Sequence, residues 1–230
     1  MQQSATYGAT RDRVEAYFDR TATAAWARLT SDAPVSGIRQ TVREGRDAMR
    51  AVMLSRLPED LTGLRILDAG CGTGAMTEVL ALRGAKVVAA DISPHLIEIA
   101  RRRVPGDLHP QITFAAGDML DPVHGRFDHV IAMDSMIYYA RPDLIAALSA
   151  LAPRVDGSIV FTLPPRTPLL SIMFGLGKLF PRADRSPRMV PHAIGSLAQD
   201  QSLLSQFGSV KAVERVSRGF YISTCLEARP

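Results

Sequence analysis

The chain has 230 residues, enough for one large domain or one domain with an added lid. Hydrophobic residues make up 47% and charged residues 22%, which excludes a disordered or collagen-like chain, and only two cysteines exclude a disulfide scaffold. The formal net charge is +4, a surplus that lies between Pro164 and His192, where Arg166, Lys178, Arg182, Arg185 and Arg188 are offset by Asp184 alone.

The N-terminus, MQQSATYGATRDR, has no apolar core and does not read as a signal peptide. Val14, Tyr17, Phe18, Thr21, Ala22, Ala25 and Leu29 recur at helical spacing and predict an amphipathic helix over 12–30. After Pro34 and Gly37, a second helix is expected over 38–57, with Ile38, Val42, Met49, Val52, Met53 and Leu57 on its apolar side. Arg43 and Arg46, three apart, share a face of it.

From Arg65 onward short apolar runs alternate with helical stretches. Strands are predicted near 65–69, 86–91, 112–116, 127–132 and 157–163, with helices at about 75–83, 94–103 and 142–151. Such strands, buried on both faces and separated by helices, imply a parallel sheet covered on each side. An irregular, proline-punctuated insertion at 164–189 precedes a helix near 191–206 and two strands near 208–217 and 219–227. Those two follow each other directly, so one joins the sheet antiparallel. The fold class is therefore doubly wound α/β with a mostly parallel seven-stranded sheet. Residues 1–60 form an N-terminal helical cap, and 61–230 form the main domain with the insertion as a lid.

The strongest motif is ILDAGCGTG at 66–74, a buried strand ending in Asp68 and turning through Gly70, Gly72 and Gly74 into a helix. Glycines there let a ligand approach the backbone closely. Alone the turn also satisfies a loose dinucleotide pattern, with Ala75 as the third small residue. Asp91 ends the second strand in VVAADIS, 87–93, about 20 residues past the turn, where a carboxylate accepts from ribose hydroxyls. Asp68 stands where a dinucleotide would place its pyrophosphate, which it would repel, whereas an ammonium and a sulfonium would be favoured. In GDM, 117–119, Asp118 is placed to accept from an adenine amino group and Met119 to pack on the ring.

These three motifs together resemble the class I S-adenosylmethionine-dependent methyltransferases over about residues 60–165. The resemblance implies S-adenosyl-L-methionine as cosubstrate, held by Asp68, Gly70, Cys71, Gly72, Asp91, Ile92, Ser93, Asp118, Met119 and Met133, with Arg43 or Arg46 on the methionine carboxylate. Tyr17-Phe18, Trp26, VSGIRQTVREGR at 35–46, FDHVIAMDSMIYY at 127–139 and LFPRADRSPRMVPH at 179–192 extend the likeness to most of the chain. Together they resemble the magnesium-protoporphyrin O-methyltransferase family of chlorophyll and bacteriochlorophyll synthesis. That family methylates a porphyrin propionate. Its chlorophyll-type members carry a histidine where this chain has Tyr138, so a histidine base at that position is not required here.

No base is demanded by the chemistry, because a carboxylic acid of pKa roughly 4.3 is already ionised at neutral pH. Tyr138 is the candidate for positioning the propionate and Tyr17 its counterpart on the N-terminal helix; simple packing is the alternative for both. Tyr139 and the basic Arg182, Arg185 and Arg188 are the substrate-binding candidates. The apolar run LLSIMFGLGKLF, 169–180, reads as a wall for a flat macrocycle, a contact with a membrane surface, or a packed surface helix. It is too short to span a bilayer, which needs about 20 apolar residues.

His95, His109, His124, His129 and His192 show no ligand pairing, so magnesium is expected only as part of the substrate. No GxSxG elbow supports a covalent nucleophile, and Asp134-Ser135-Met136-Ile137 does not resemble the NPPY of nucleic-acid amino-methyltransferases. The partners expected are magnesium-protoporphyrin IX, the magnesium chelatase large subunit and a peripheral membrane contact, with no nucleic acid. The location expected is cytoplasmic, in line with two unpaired cysteines, or peripheral on photosynthetic membranes. A quinone or small-metabolite methyltransferase and a non-catalytic binding module are the alternatives.

Overall fold

A computed structural model describes residues 5–19, 37–166 and 189–230. Helix α1 (Ala5–Tyr17) begins seven residues before the expected start. Its buried stripe is Tyr7, Thr10 and Val14, continued by Phe18 just past its end, a helical spacing broken on paper by the polar Thr10 and by Gly8. The rest of the predicted first helix, 20–30 with Trp26, lies outside the described residues. Helix α2 (Gly37–Leu54) buries Gly45, Met49, Met53 and Leu54 and stops short of the expected residue 57.

The main domain alternates β1 (Arg65–Ala69), α3 (Ala75–Leu82), β2 (Lys86–Asp91), α4 (Pro94–Arg103), β3 (Ile112–Ala116), β4 (Phe127–Ala132), α5 (Arg141–Leu151) and β5 (Val155–Leu163). The first four strands coincide with the sequence reading, because each is a short apolar run closed by an acid, a glycine or a turn. Two short helices, α6 (Ile194–Ala198) and α7 (Gln201–Leu204), replace the single helix expected over 191–206. Asp200 makes the break: its side chain caps α7 by accepting from the Ser202 N–H and pairs with Arg141 at 2.7 Å. The chain ends in β6 (Ser209–Arg218) and β7 (Tyr221–Arg229), joined by a turn at Gly219 and Phe220.

The seven strands lie in the order β3-β2-β1-β4-β5-β7-β6. The first five are parallel; β7 runs antiparallel to β5 and β6 antiparallel to β7. Neighbouring residues point to opposite faces, so each strand feeds two cores. Leu67, Val88, Val130 and Phe161 meet Leu148, Leu203 and Phe207 on one side. Ile66, Val87, Ile131 and Val160 meet Met49, Met53 and Leu80 on the other. This two-sided burial is why the strand sequences are almost continuously apolar.

Chain order reverses between β1 and β4, and in open α/β sheets the ligand crevice forms at the carboxyl ends of the strands flanking such a point. No helix among the described residues is long and apolar enough to cross a membrane.

Candidate active site

A cleft opens at that switch point, between the turns after β1, β2, β3 and β4 and beneath α1 and α2. Its floor is the glycine turn. Gly70 and Cys71 both donate to the Ala90 carbonyl, at 2.8 and 3.0 Å, which ties the turn to β2. Gly70 sits at φ +82, and a Cβ there would lie 2.3 Å from Ser135 Cβ. Ser135 in turn donates to the Ala69 carbonyl at 2.6 Å, so the turns after β1 and β4 interlock only if residue 70 has no side chain.

Two carboxylates line the floor. Asp68 is almost fully buried, its pKa pushed up to about 7 by burial; a 2.6 Å bond from Thr77 and the nearby Arg50 oppose the rise. Asp91 accepts the Gly72 N–H at 2.8 Å and the Ser93 N–H at 2.9 Å. Burial lifts its pKa to about 6 against those two bonds. Gly72, Cys71, Ile92, Met119 and Met133 also line the cleft. Ser93 does not: its hydroxyl caps α4 by accepting from Leu96 N–H at 3.3 Å and donates to Asp19. Its contribution to the site is the backbone N–H that orients Asp91.

Asp118 faces the cleft after β3, yet its carboxylate already has partners. Oδ1 accepts from the Leu120 N–H and the Tyr7 hydroxyl, each at 2.9 Å, and Oδ2 lies 3.4 Å from Arg11. The expected adenine contact therefore shares its acceptor with α1. Tyr7 also stacks on Tyr139 at 4.7 Å and 9°. Tyr139, a substrate-binding candidate, is thus buried beneath α1, and burial pushes its phenol up to about 12.

Tyr138 fares closer to expectation. It lines the cleft edge-on to Phe18, with ring centroids 6.5 Å apart, in a cluster that includes Tyr17, Val14 and Leu96. Burial raises its phenol well above the ordinary range, so it is a donor at neutral pH. Tyr17 joins the cluster but is not among the residues lining the cleft, where Phe18 stands instead.

On α2 the arginines reaching the cleft are Arg46 and Arg50; Arg43 does not line it. The difference is rotation: four residues keep Arg50 on the face of Arg46 beside the inward Met49 and Met53. Arg46 pairs with Asp134, which also accepts from Tyr221 at 3.1 Å. Arg50 Nε is buried with no partner among the described residues.

Tyr7, Arg11, Phe18 and Arg50 line the cleft and were missed by sequence reasoning; Asp134, on the turn after β4, lies where that turn was expected to face the reaction, and Tyr221 touches the site through Asp134. Tyr7 and Arg11 stand four apart, and Arg50 four beyond Arg46; that spacing was the available signal. Arg182, Arg185, Arg188 and the apolar run 169–180 lie outside the described residues. Among those residues no three His, Cys, Asp or Glu side chains could hold a metal ion.

Residues 66–155 match a methyltransferase domain model, and 132–230 match the model described as magnesium-protoporphyrin IX methyltransferase C-terminus. The chain is 58% identical to a magnesium-protoporphyrin O-methyltransferase of Rhodobacter capsulatus, over 97% of this chain and 98% of the relative. It is similar, at 29% identity and a TM-score of 0.78, to the crystal structure of magnesium protoporphyrin IX methyltransferase from Synechocystis PCC 6803 with bound SAH, over 94% of this chain and 98% of that one. A ubiquinone biosynthesis O-methyltransferase of Methylocella silvestris is 44% identical, but over only 34% of this chain and 30% of its own. With its cofactor turn, its post-β4 tyrosines and a near-full-length likeness all pointing one way, the chain belongs to the magnesium-protoporphyrin O-methyltransferase family.

Proposed function

We propose that this protein transfers a methyl group from S-adenosyl-L-methionine to a propionate carboxylate of magnesium-protoporphyrin IX, giving the monomethyl ester in (bacterio)chlorophyll biosynthesis. The observation that carries the reading is 58% identity over 97% of the chain, whereas the likeness to the Methylocella silvestris ubiquinone biosynthesis O-methyltransferase covers only 34% of it.

The cleft residues fit the cosubstrate. Bare backbone at the glycine turn admits close approach, Asp91 offers acceptors for ribose hydroxyls, and Met119 and Met133 give apolar faces for the base. Arg46 and Arg50 both line the cleft, and Arg46 is the guanidinium offered to the methionine carboxylate. When bound, the cosubstrate supplies a methyl group activated on a sulfonium.

The chain's own residues then hold and shield. Tyr138 donates to the propionate oxygen and orients it; Val14 on α1 and Phe18 just after it exclude water above the cleft. Holding reactants in a near-attack geometry contributes on the order of 7–11 kcal/mol. No proton has to be removed. The basic insertion, with Arg182, Arg185 and Arg188, takes the second propionate, and the same charge suits an anionic membrane surface. On the same reading the large subunit of magnesium chelatase is a protein partner.

Purified protein with magnesium-protoporphyrin IX and methyl-labelled S-adenosylmethionine tests the reading: one labelled ester per porphyrin is expected. Methylation of a quinol and none of the porphyrin would overturn it. Changing Arg182, Arg185 and Arg188 together to Gln is expected to weaken porphyrin binding and spare the cosubstrate. Loss of vesicle binding alone would assign that charge to a membrane.

A further inference from the structure

Asp134 is the one non-glycine among the described residues with a positive φ, at +56. L-residues avoid this region, and such conformations persist where the surroundings over-determine them. Here they do. The Asp134 N–H donates to the Thr162 hydroxyl at 2.8 Å, and that hydroxyl donates back to Asp134 Oδ1 at 3.0 Å. The Tyr221 hydroxyl donates to the same Oδ1 at 3.1 Å, and Arg46 pairs with Oδ2. One carboxylate thus ties together the ends of β4 and β5, the start of β7 and helix α2.

The C-terminal hairpin is pressed onto α2 beside this network. A Cβ at Gly45, the residue before Arg46, would lie 2.7 Å from the Tyr221 ring. One at Gly219, in the hairpin turn at φ +54, would lie 2.4 Å from the Thr41 hydroxyl. Two glycines therefore let the hairpin set where α2, and with it Arg46, stands. Burial keeps the Tyr221 phenol protonated, as its donor role needs.

We propose that Tyr221 is a positioning residue for the amino-acid end of the cosubstrate: with Thr162 it fixes Asp134, and Asp134 aims the Arg46 guanidinium at the methionine carboxylate. This rests on the cleft holding S-adenosylmethionine. The guanidinium presents its donors in a rigid fork, so pairing one nitrogen with Asp134 orients the others. Tyr221 lies 87 residues from Asp134 in sequence and acts only through it and Arg46.

Calorimetry with two ligands tests the chain of contacts. S-adenosylhomocysteine carries the amino-acid carboxylate; 5′-methylthioadenosine has the same nucleoside and thioether without it. Tyr221→Phe is expected to bind S-adenosylhomocysteine more weakly by about tenfold or more, as loss of a bond to a charged group implies, and methylthioadenosine within about twofold of the parent. Thr162→Val is expected to do the same and Thr162→Ser to restore binding, which keeps the test open if Tyr221→Phe fails to fold. Equal weakening of both ligands, or no change in either, overturns the proposal while leaving the cofactor reading intact. A parent protein that binds neither ligand overturns the cofactor reading, and the proposal with it.

Discussion

Asp91→Ala separates what the carboxylate does for the fold from what it does for the ligand. In the unliganded protein two effects oppose each other. Burial lifts the Asp91 pKa from 3.8 to about 6, so its ionised form costs about 3 kcal/mol at neutral pH, and alanine removes that cost. Alanine also strands the Gly72 and Ser93 N–H groups, at about 1–3 kcal/mol each. Stability is therefore expected to change by between about 1 kcal/mol gained and about 3 kcal/mol lost. Nothing offsets the loss toward ligand: a charged acceptor for ribose hydroxyls disappears, at about 1.5–3 kcal/mol, or tenfold and more in affinity. Calorimetric titration with S-adenosylhomocysteine beside an unliganded thermal melt reads both quantities. The sign of the pH dependence adds a control. A carboxyl whose pKa is raised on folding binds its proton more tightly in the native state, so native stability falls as pH rises from 3.8 through about 6. Asp91→Ala should flatten that fall between about pH 4 and 6. Unchanged affinity would refute the ribose assignment.

Tyr138→Phe is expected to lower turnover while leaving cosubstrate affinity and melting temperature close to the parent's; a new ionisation in its pH–rate profile would point to base catalysis instead. Gly70→Ala should cost more than about 2 kcal/mol of stability and abolish cosubstrate binding, since its Cβ would lie 2.3 Å from Ser135 Cβ at φ +82; a normal melt would refute the interlocked turns. S-adenosylmethionine carries a sulfonium charge that S-adenosylhomocysteine lacks, and Asp68 and Asp91 ionise near pH 7 and 6. The ratio of the two affinities should therefore shift toward S-adenosylmethionine from pH 5.5 to 7.5, and a flat ratio by calorimetry would count against both carboxylates facing that charge.

Much of this molecule is legible along the chain because its signals are local. Strands β1 to β4 end where an acid, a glycine or a turn stops an apolar run, and a run buried on both faces reads the same whatever it packs against. The turn at 66–74 and Asp91 belong to one β-α-β unit, so their spacing places them together without further knowledge of the fold. The limits were also local. The apolar spacing from Val14 onward does not reveal that α1 starts at Ala5, because its first buried turn includes the polar Thr10, and Asp200 splits α6 from α7 through a cap that outcompetes helical continuity.

Only the tertiary structure decided who meets whom. Tyr7 reaches Asp118 across 111 residues, and Arg46 reaches Asp134 across 88. Choosing Arg50 over Arg43 required the rotation of α2 on the sheet, and Tyr221 meets Asp134 only because β7 lies between β5 and β6. No periodicity carries such pairings. They follow from the strand order, which depends on how all seven strands bury their two faces at once, and from close approaches at Gly45 and Gly219 that exist only in the packed molecule.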